Sequence, residues 1–421
     1  MRKFVIILLM SLSPSALFAQ ITLEQCRAKA REHYPAIRQY DLVEQTRELT
    51  LSNASSARLP QILVGAQATW QTAVATFPEL LSNLMKTQGM DIPGIRKDQY
   101  QVSVQVDQPL WDGGQSRAQR EIAEARAREQ SGQLDVDMYA LEHRIDELYF
   151  GILMLDSRIS QSEAMISLLG SSWEQAQAMI RGGVALQSDA DAIEAEILQA
   201  KQSLSSLQAA RSTYRQVLEL FIGEPISENL ARPSLPTLRE TPRPELTLLD
   251  AKIGTLTAQE GLVKSAVLPR VSLFAQGWYG YPGLDMFRSM TSADWTWNAI
   301  VGIRMNWNVS ALFTRENQLQ QIRTAISQAE VQKDLFSFNT RVQSIGLDAD
   351  VSRLQSQAAE DGRITELRRS IRQGAESKYR NGTITATELL KAITDEATAE
   401  ATAEGHVLEF LKTAYESRHN R

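Results

Sequence analysis

Residues 295–309, WTWNAIVGIRMNWNV, alternate between apolar and polar side chains. Every odd-numbered position is apolar, and every even-numbered position except Ile300 is polar or glycine. A period of two predicts a β-strand with one apolar and one polar face. The run is longer than the average strand of about 5–6 residues, and it is long enough for a strand that crosses a membrane, which needs about 9–11. The alternative is a long edge strand of a soluble sheet.

Three other segments show the same alternation, namely Gln61–Gln71, Gln99–Asp107 and, less regularly, Val271–Tyr281. Phe274 and Trp278 break the pattern in the last segment. Aromatic residues gather at the ends of the apolar faces, as they do at membrane interfaces. The predicted lipid-facing residues are Trp70, Tyr100, Trp295, Trp297 and Trp307. The predicted residues of an inward, polar face are Gln101, Ser103, Gln105, Arg304 and Asn306.

Residues 1–19 have the pattern of a secretory signal peptide, with basic Arg2 and Lys3 before an apolar run. The chain of 421 residues carries a formal net charge of −6, and a mildly acidic chain argues against a nucleic-acid partner. Its single cysteine, Cys26, does not stand in a lipoprotein acceptor sequence. We therefore expect a structural thiol in a helix.

The positions of proline predict where long helices lie, because proline is costly inside a helix. No proline lies between Pro109 and Pro225, and none follows Pro282. These two stretches predict long helices over 115–179 and 311–379. A glycine-containing tip follows each long helix and leads to a return helix, over 187–221 and 387–417. Shorter helices are predicted over 22–58 and 245–267. The segment 71–98 and the segment that starts at Pro282 are predicted to be loops.

The order helix, strand, strand, long helix, tip, helix occurs twice, which predicts an internal duplication. The first repeat covers 20–222, a proline-rich connector covers 223–244, and the second repeat covers 245–421. Four strands are too few for a closed membrane barrel, since the smallest single-chain barrels have about eight. Open strand edges cannot face lipid. Several copies must therefore share one barrel, and three copies would supply about twelve strands and leave a polar lumen.

Some short motifs have a counterpart in each half, and others occur once in the chain. They are Leu59-Pro60 and Leu268-Pro269 before strands, Gln108-Pro109-Leu110-Trp111-Asp112-Gly113-Gly114 after the second strand, Leu220–Pro225 between the halves, and tips that begin at Gly182 and Tyr379. With them the chain resembles the TolC-type outer-membrane efflux proteins over nearly its whole mature length.

This resemblance implies an α+β membrane protein in which four transmembrane strands per chain form a trimeric, twelve-stranded barrel. A long antiparallel, coiled-coil-like α-helical tunnel continues the barrel into the periplasm. It also implies an outer-membrane location and the role of exit duct in a tripartite efflux pump. The implied partners are a periplasmic adaptor and an inner-membrane transporter of the RND or ABC type.

The tips contain the predicted periplasmic gate, with Gly183, Asp189, Gly382, Glu388 and Lys391 as its residues. The glycines are first of all helix stops in the left-handed region. The resembled family often carries two acidic residues after the second tip. Here Glu388 keeps the first carboxylate, while Lys391 reverses the charge of the second.

No catalytic, cofactor or metal site is predicted. The four histidines form no metal-binding spacing, and nucleophile and phosphate-loop motifs are absent. Arg363, Arg368, Arg369 and Arg372 are interpreted as a solvated helix face. Type I protein secretion is the alternative within the family. A soluble periplasmic coiled-coil scaffold is an alternative of another class, and an outer-membrane barrel enzyme is disfavoured.

Overall fold

The computed structural model describes residues 20–89, 92, 94–226, 229–236 and 243–420. The predicted signal peptide and parts of the predicted connector lie outside the described residues. The chain forms two compact units, and each is built from separate parts of the sequence. The sheet unit comprises Asp41–Gly132 and Leu248–Lys333. The helical unit comprises the described residues up to Tyr40, Gln133–Thr247 and the described residues from Asp334 onward.

Four strands and nine α-helices make up the described part of the chain. The strands are β1 (Gln61–Trp70), β2 (Asp98–Trp111), β3 (Arg270–Tyr281) and β4 (Thr296–Asn306). The helices are α1 (Leu23–His33), α2 (Arg38–Ser56), α3 (Glu79–Thr87), α4 (Gln115–Arg181), α5 (Gln187–Ile222), α6 (Pro244–Ala266), α7 (Met286–Thr291), α8 (Ala311–Arg380) and α9 (Ala386–His419). The helices predicted after β2 and β4, with their return helices, are confirmed.

The single helix predicted over 22–58 is wrong. A short 3-10 turn, Pro35–Ile37, separates α1 from α2. Tyr34 is extended, with ψ of 127°, because the ring of a following proline disfavours the helical conformation. The predicted loops after β1 and β3 also differ from the structure, since each contains a short helix, α3 or α7.

The four strands form one antiparallel sheet in the order β1-β2-β3-β4. The register makes the apolar face continuous: Ile62 pairs with Val106, Val106 with Ala275, and Ala275 with Val301. The opposite face carries rows such as Ser103, Trp278 and Asn298. The apolar face is exposed in the single chain, and Val301 is 70% exposed. Among the described residues, β1 and β4 each pair with one strand only, so the sheet has two open edges.

The main core of the helical unit lies where α1 packs against the middle of α4 and the end of α5. Its largest fully buried side chains include Tyr149, Phe150 and Leu218. Cys26 is fully buried in this core, and burial raises the pKa of its thiol to about 11. The prediction of a structural thiol in a helix is therefore confirmed. None of the described helices is both long enough and apolar enough to cross a membrane.

Candidate functional sites on the sheet and at the helical tips

The five predicted inward residues lie on one face of the sheet. Gln101, Ser103 and Gln105 alternate along β2, and the register from Gln105 through Gln276 to Ile300 puts the even-numbered residues of β4 on the same side. Arg304 and Asn306 therefore share this face with them. The structure brings these residues together as a polar surface. That this surface lines a lumen stays a prediction.

Arg304 explains why Phe274 departs from the alternation of β3. The guanidinium of Arg304 lies 4.4 Å from the centroid of the Phe274 ring, and its Nη1 lies 3.5 Å from Oδ1 of Asp107. A Cβ at Gly302 would lie 2.9 Å from Cε1 of the same ring, so glycine leaves room for it. Phe274 thus gives a cation on the polar face an aromatic support.

The predicted lipid-facing aromatics lie on or beside the apolar face. Trp70, Tyr100 and Trp297 belong to β1, β2 and β4, whereas Trp295 and Trp307 flank β4. We call Tyr100, Tyr279, Trp295 and Trp297 the aromatic cluster. Ring centroids within it are 6.4 Å apart for Tyr100 and Trp295, 5.4 Å for Tyr279 and Trp295, and 4.9 Å for Tyr279 and Trp297. Trp307 lies at the other end of β4, where its indole donates to the Val267 carbonyl at 3.0 Å.

The two helical tips have the same backbone geometry. Gly183 and Gly382 adopt φ of 74° and 70°, a conformation that glycine adopts at little cost. In each tip the residue after the glycine donates its N–H to the carbonyl five residues earlier, at 3.0 Å, from Val184 to Met179 and from Thr383 to Lys378. This bond closes the end of an α-helix with a left-handed residue. Both glycines are helix stops, as predicted.

The two predicted tip carboxylates both cap the helix that follows. Asp189 accepts the N–H of Leu186 at 3.1 Å, and Glu388 accepts the N–H of Thr385 at 3.0 Å. The Thr385 hydroxyl accepts the N–H of Glu388 in return, at 3.3 Å, which completes a capping box. Lys391 is exposed one turn further along α9. Glu388 therefore has a local structural role, and its place at a gate stays a prediction.

A small core joins the two tips. Tyr379 is 3% exposed and packs with buried residues of the other tip, among them Ala190 and Ile193. Burial raises the pKa of the Tyr379 phenol, and the nearby carboxylate of Asp189 raises it further. Its hydroxyl has no hydrogen-bond partner in the described chain. The tips thus pack as one element, which sequence spacing alone did not predict.

The arginine run near the second tip is mostly solvated, as predicted, since Arg363, Arg368 and Arg369 are exposed and only Arg372 is partly buried. Three of its arginines reach across from α8 to carboxylates on α9. They are Arg368 to Asp395 at 2.8 Å, Arg369 to Glu400 at 2.7 Å, and Arg372 to the buried Glu396. The helical period of α9 places these carboxylates on the side that faces the arginines. Only the packing of α8 against α9 shows this pairing.

The sequence did not predict a buried ionic group in the helical unit. The Arg27 guanidinium donates to both carboxylate oxygens of Asp146, and His419 Nε2 lies 2.9 Å from Asp146 Oδ2. Burial raises the pKa of the Asp146 carboxyl, but the hydrogen bonds from His419 and Arg27 outweigh burial and hold the pKa below its ordinary value of 3.8. The three residues are far apart in sequence, so no local motif marks them. The described residues contain no cluster of side chains that could hold a metal ion.

Known proteins share features of this sequence and fold. The model of the outer membrane efflux protein family matches residues 27–224. The outer-membrane channel OprN is 17% identical, with a TM-score of 0.70, over 95% of this chain and 90% of that one. VceC from Vibrio cholerae is 15% identical, with a TM-score of 0.68, over 94% and 96%. The open state of MtrE from Neisseria gonorrhoeae is 15% identical, with a TM-score of 0.66, over 94% and 88%. No curated protein sequence matches significantly. The similarity to the solved channels establishes the fold.

Proposed function

We propose that the chain is an outer-membrane channel of the outer membrane efflux protein family, whose model matches residues 27–224, and that three copies form the exit duct of a tripartite pump. Substrates pass through it from an inner-membrane transporter and a periplasmic adaptor, without energy supplied by the duct. The strands of three copies close one barrel, and the helices continue it as the periplasmic tunnel.

The open sheet is the observation that carries this proposal. Its apolar face is exposed, while β1 and β4 each leave one edge unpaired among the described residues. Unpaired backbone groups are too costly to expose to hydrocarbon. Pairing β1 of one copy with β4 of the next satisfies both edges. Three copies then give about twelve strands, whose polar faces enclose a lumen.

An exposed stripe on α8 supports the association of copies in the helical unit. Leu335, Phe338, Val342 and Ile345 are each more than half exposed. Their spacing of three and four residues is that of a coiled-coil seam. Apolar stripes of this kind are stable in water when a neighbouring helix covers them. A second copy supplies that helix in the proposed trimer.

The tips supply the periplasmic end of the proposed duct. Their shared core lets the two helical hairpins of one copy present a single end to the adaptor. Glu388 and Lys391 are both exposed at this end. Three copies of this pair around an axis would give a ring of mixed charge.

Recordings in planar bilayers test the proposal. The purified protein should insert and conduct in uniform steps. A Val301→Arg variant should insert poorly, because a cation on the lipid-facing side is costly there. In cells, loss of the chain should raise the accumulation of the pump's substrate, and the parent chain, but not Val301→Arg, should restore export. Folded protein that neither inserts nor conducts would contradict the proposed function.

A further inference from the structure

A lysine stands at the aromatic end of the apolar face. Nζ of Lys97 lies 5.9 Å from the centroid of the Trp70 ring, over its face. Trp70 ends β1 and pairs with Asp98, the first residue of β2. Tyr100 of the aromatic cluster follows two residues later on the same face. The cation thus lies at the border where the apolar face of the sheet ends.

The backbone holds Lys97 in this position. Its carbonyl accepts the N–H of Gln71 at 2.8 Å, so the residues just beyond β1 and just before β2 remain paired. The ammonium group is attracted to the face of the indole ring. The backbone of Lys97 is therefore held in place, while its side chain stays exposed.

Among the described residues around it, Lys97 has no counter-ion. The nearby carboxylate of Asp98 is bound by Arg96, with Nη2 to Oδ2 at 2.6 Å and Nε to Oδ1 at 3.2 Å. Lys97 itself has no carboxylate partner in the described part of the chain. Of the described residues, Arg96, Lys97 and Asp98 together carry a net charge of +1, which is complementary to an anionic group.

We propose that Lys97, held over Trp70, binds the phosphate group of a lipid in the outer leaflet. This inference rests on the proposed function, because it requires the apolar face of the sheet to contact lipid. Lysine binds phosphate as a point charge, and tryptophan prefers the depth of the head groups. The exposed apolar face below Trp70 receives the acyl chains of the same lipid. A free phosphate ion would not use that face.

The lipid phosphate is tested by native mass spectrometry of the purified protein in detergent. The probes are a lipid with a phosphorylated head group and the same lipid without its phosphate. The parent protein should prefer the phosphorylated lipid. Lys97→Gln should weaken that binding about fivefold, the usual effect of one basic residue near an anionic membrane surface. Lys97→Arg should retain it, and Lys201→Gln, an exposed lysine of α5, serves as the matched control.

The role of Trp70 is tested in the same experiment. If the ring positions the ammonium group, Lys97→Gln should cost less in a Trp70→Leu background than in the parent, because neighbouring residues that act together are not additive. Equal effects in both backgrounds would overturn this positioning role.

Two results would overturn the lipid assignment. One is equal preference for the phosphorylated lipid in the parent and in Lys97→Gln. The other is displacement of the lipid by inorganic phosphate alone. The oligomer mass and the bilayer conductance of the same samples are measured in parallel. Conducting protein without a Lys97-dependent lipid preference would refute this inference alone, whereas failure to insert would refute the proposed function.

Discussion

At the scale of single residues, Glu388 combines a helix cap with a charge at the proposed gate. Glu388→Gln separates the two roles, since glutamine can accept the Thr385 N–H in a capping box as glutamate does. We expect the variant to fold like the parent and to select cations over anions less strongly, because a ring of carboxylates attracts cations. The reversal potential in planar bilayers under a salt gradient measures this selectivity.

Lys391→Asp is the opposite change to the same ring. Lys391 follows Glu388 by three residues and lies near the same face of α9, so the new carboxylate should strengthen cation selectivity. Lys201→Gln, far along the chain in α5, should leave the reversal potential unchanged. If neither Glu388→Gln nor Lys391→Asp moves it, these residues do not line the constriction.

Asp146 predicts how the stability of the helical unit depends on pH. Its folded-state pKa is lowered, so its contribution is fully present above the ordinary value of 3.8 and is lost as the pH falls below it. Asp146→Asn should remove this acid-dependent part of the free energy of unfolding. It should also cost about 3–5 kcal/mol at neutral pH, because it leaves the buried Arg27 with only the exposed carboxylate of Glu24, at 3.1 Å, as a counter-ion.

The free energy of unfolding by denaturant, followed by circular dichroism at steps from about pH 7 to about pH 3, measures what Asp146 contributes to stability. The range extends below the ordinary pKa of an aspartate, about 3.9. Asp350→Asn is the matched control, because Asp350 forms an exposed pair with Arg353 on α8. Such pairs contribute about 0–1 kcal/mol. Similar losses from both variants would show that burial of the Arg27 and Asp146 pair has no special effect.

At the scale of the elements, the two faces of the sheet should respond differently to the same charge. Val301 pairs with Ala275, and Gln276 pairs with Ile300, so Val301 and Gln276 lie at similar depth on opposite faces. Val301→Arg should cost about 2–4 kcal/mol near the membrane midplane. Gln276→Arg, on the polar face, should be tolerated. Folding into lipid vesicles, followed by tryptophan fluorescence, measures the difference, and equal losses would reject the assignment of the faces.

The sequence predicted the elements well where one local pattern determines them. The period of two along 295–309 and the proline-free stretches around α4 and α8 depend on neighbouring residues only. The break at Pro35 was missed because good helix formers on both sides hid the effect of one proline on Tyr34. Phe274 breaks the alternation of β3 because it packs against the Arg304 guanidinium on the next strand. Such a tertiary contact cannot be predicted from a local pattern.

The candidate sites were predictable only in part for the same reason. Gly183 and Gly382 mark the tips through their own backbone chemistry. The buried Arg27, Asp146 and His419 group joins residues from α1, α4 and α9. The arginines of α8 form ion pairs with carboxylates of α9. Neither arrangement follows from spacing along one helix.

At the scale of the whole molecule, the proposed duct depends on the association of copies. Phe338→Lys places a charge in the exposed α8 stripe and should weaken association, since a buried unpaired charge is costly. Lys333→Gln, on the same helix, is a matched control. Its ammonium lies 2.6 Å from Asp250 within the chain, so its loss should leave association unchanged. Sedimentation in detergent measures the oligomer fraction, and equal behaviour of the two variants would exclude the stripe from the interface.

The mass of the folded protein in detergent shows whether three copies form one barrel. Native mass spectrometry should show one species with three times the mass of a single chain, because three copies close the open edges of β1 and β4 into one barrel. Val301→Arg protein that remains unfolded supplies the monomer reference. A stable, folded, conducting monomer would contradict the account.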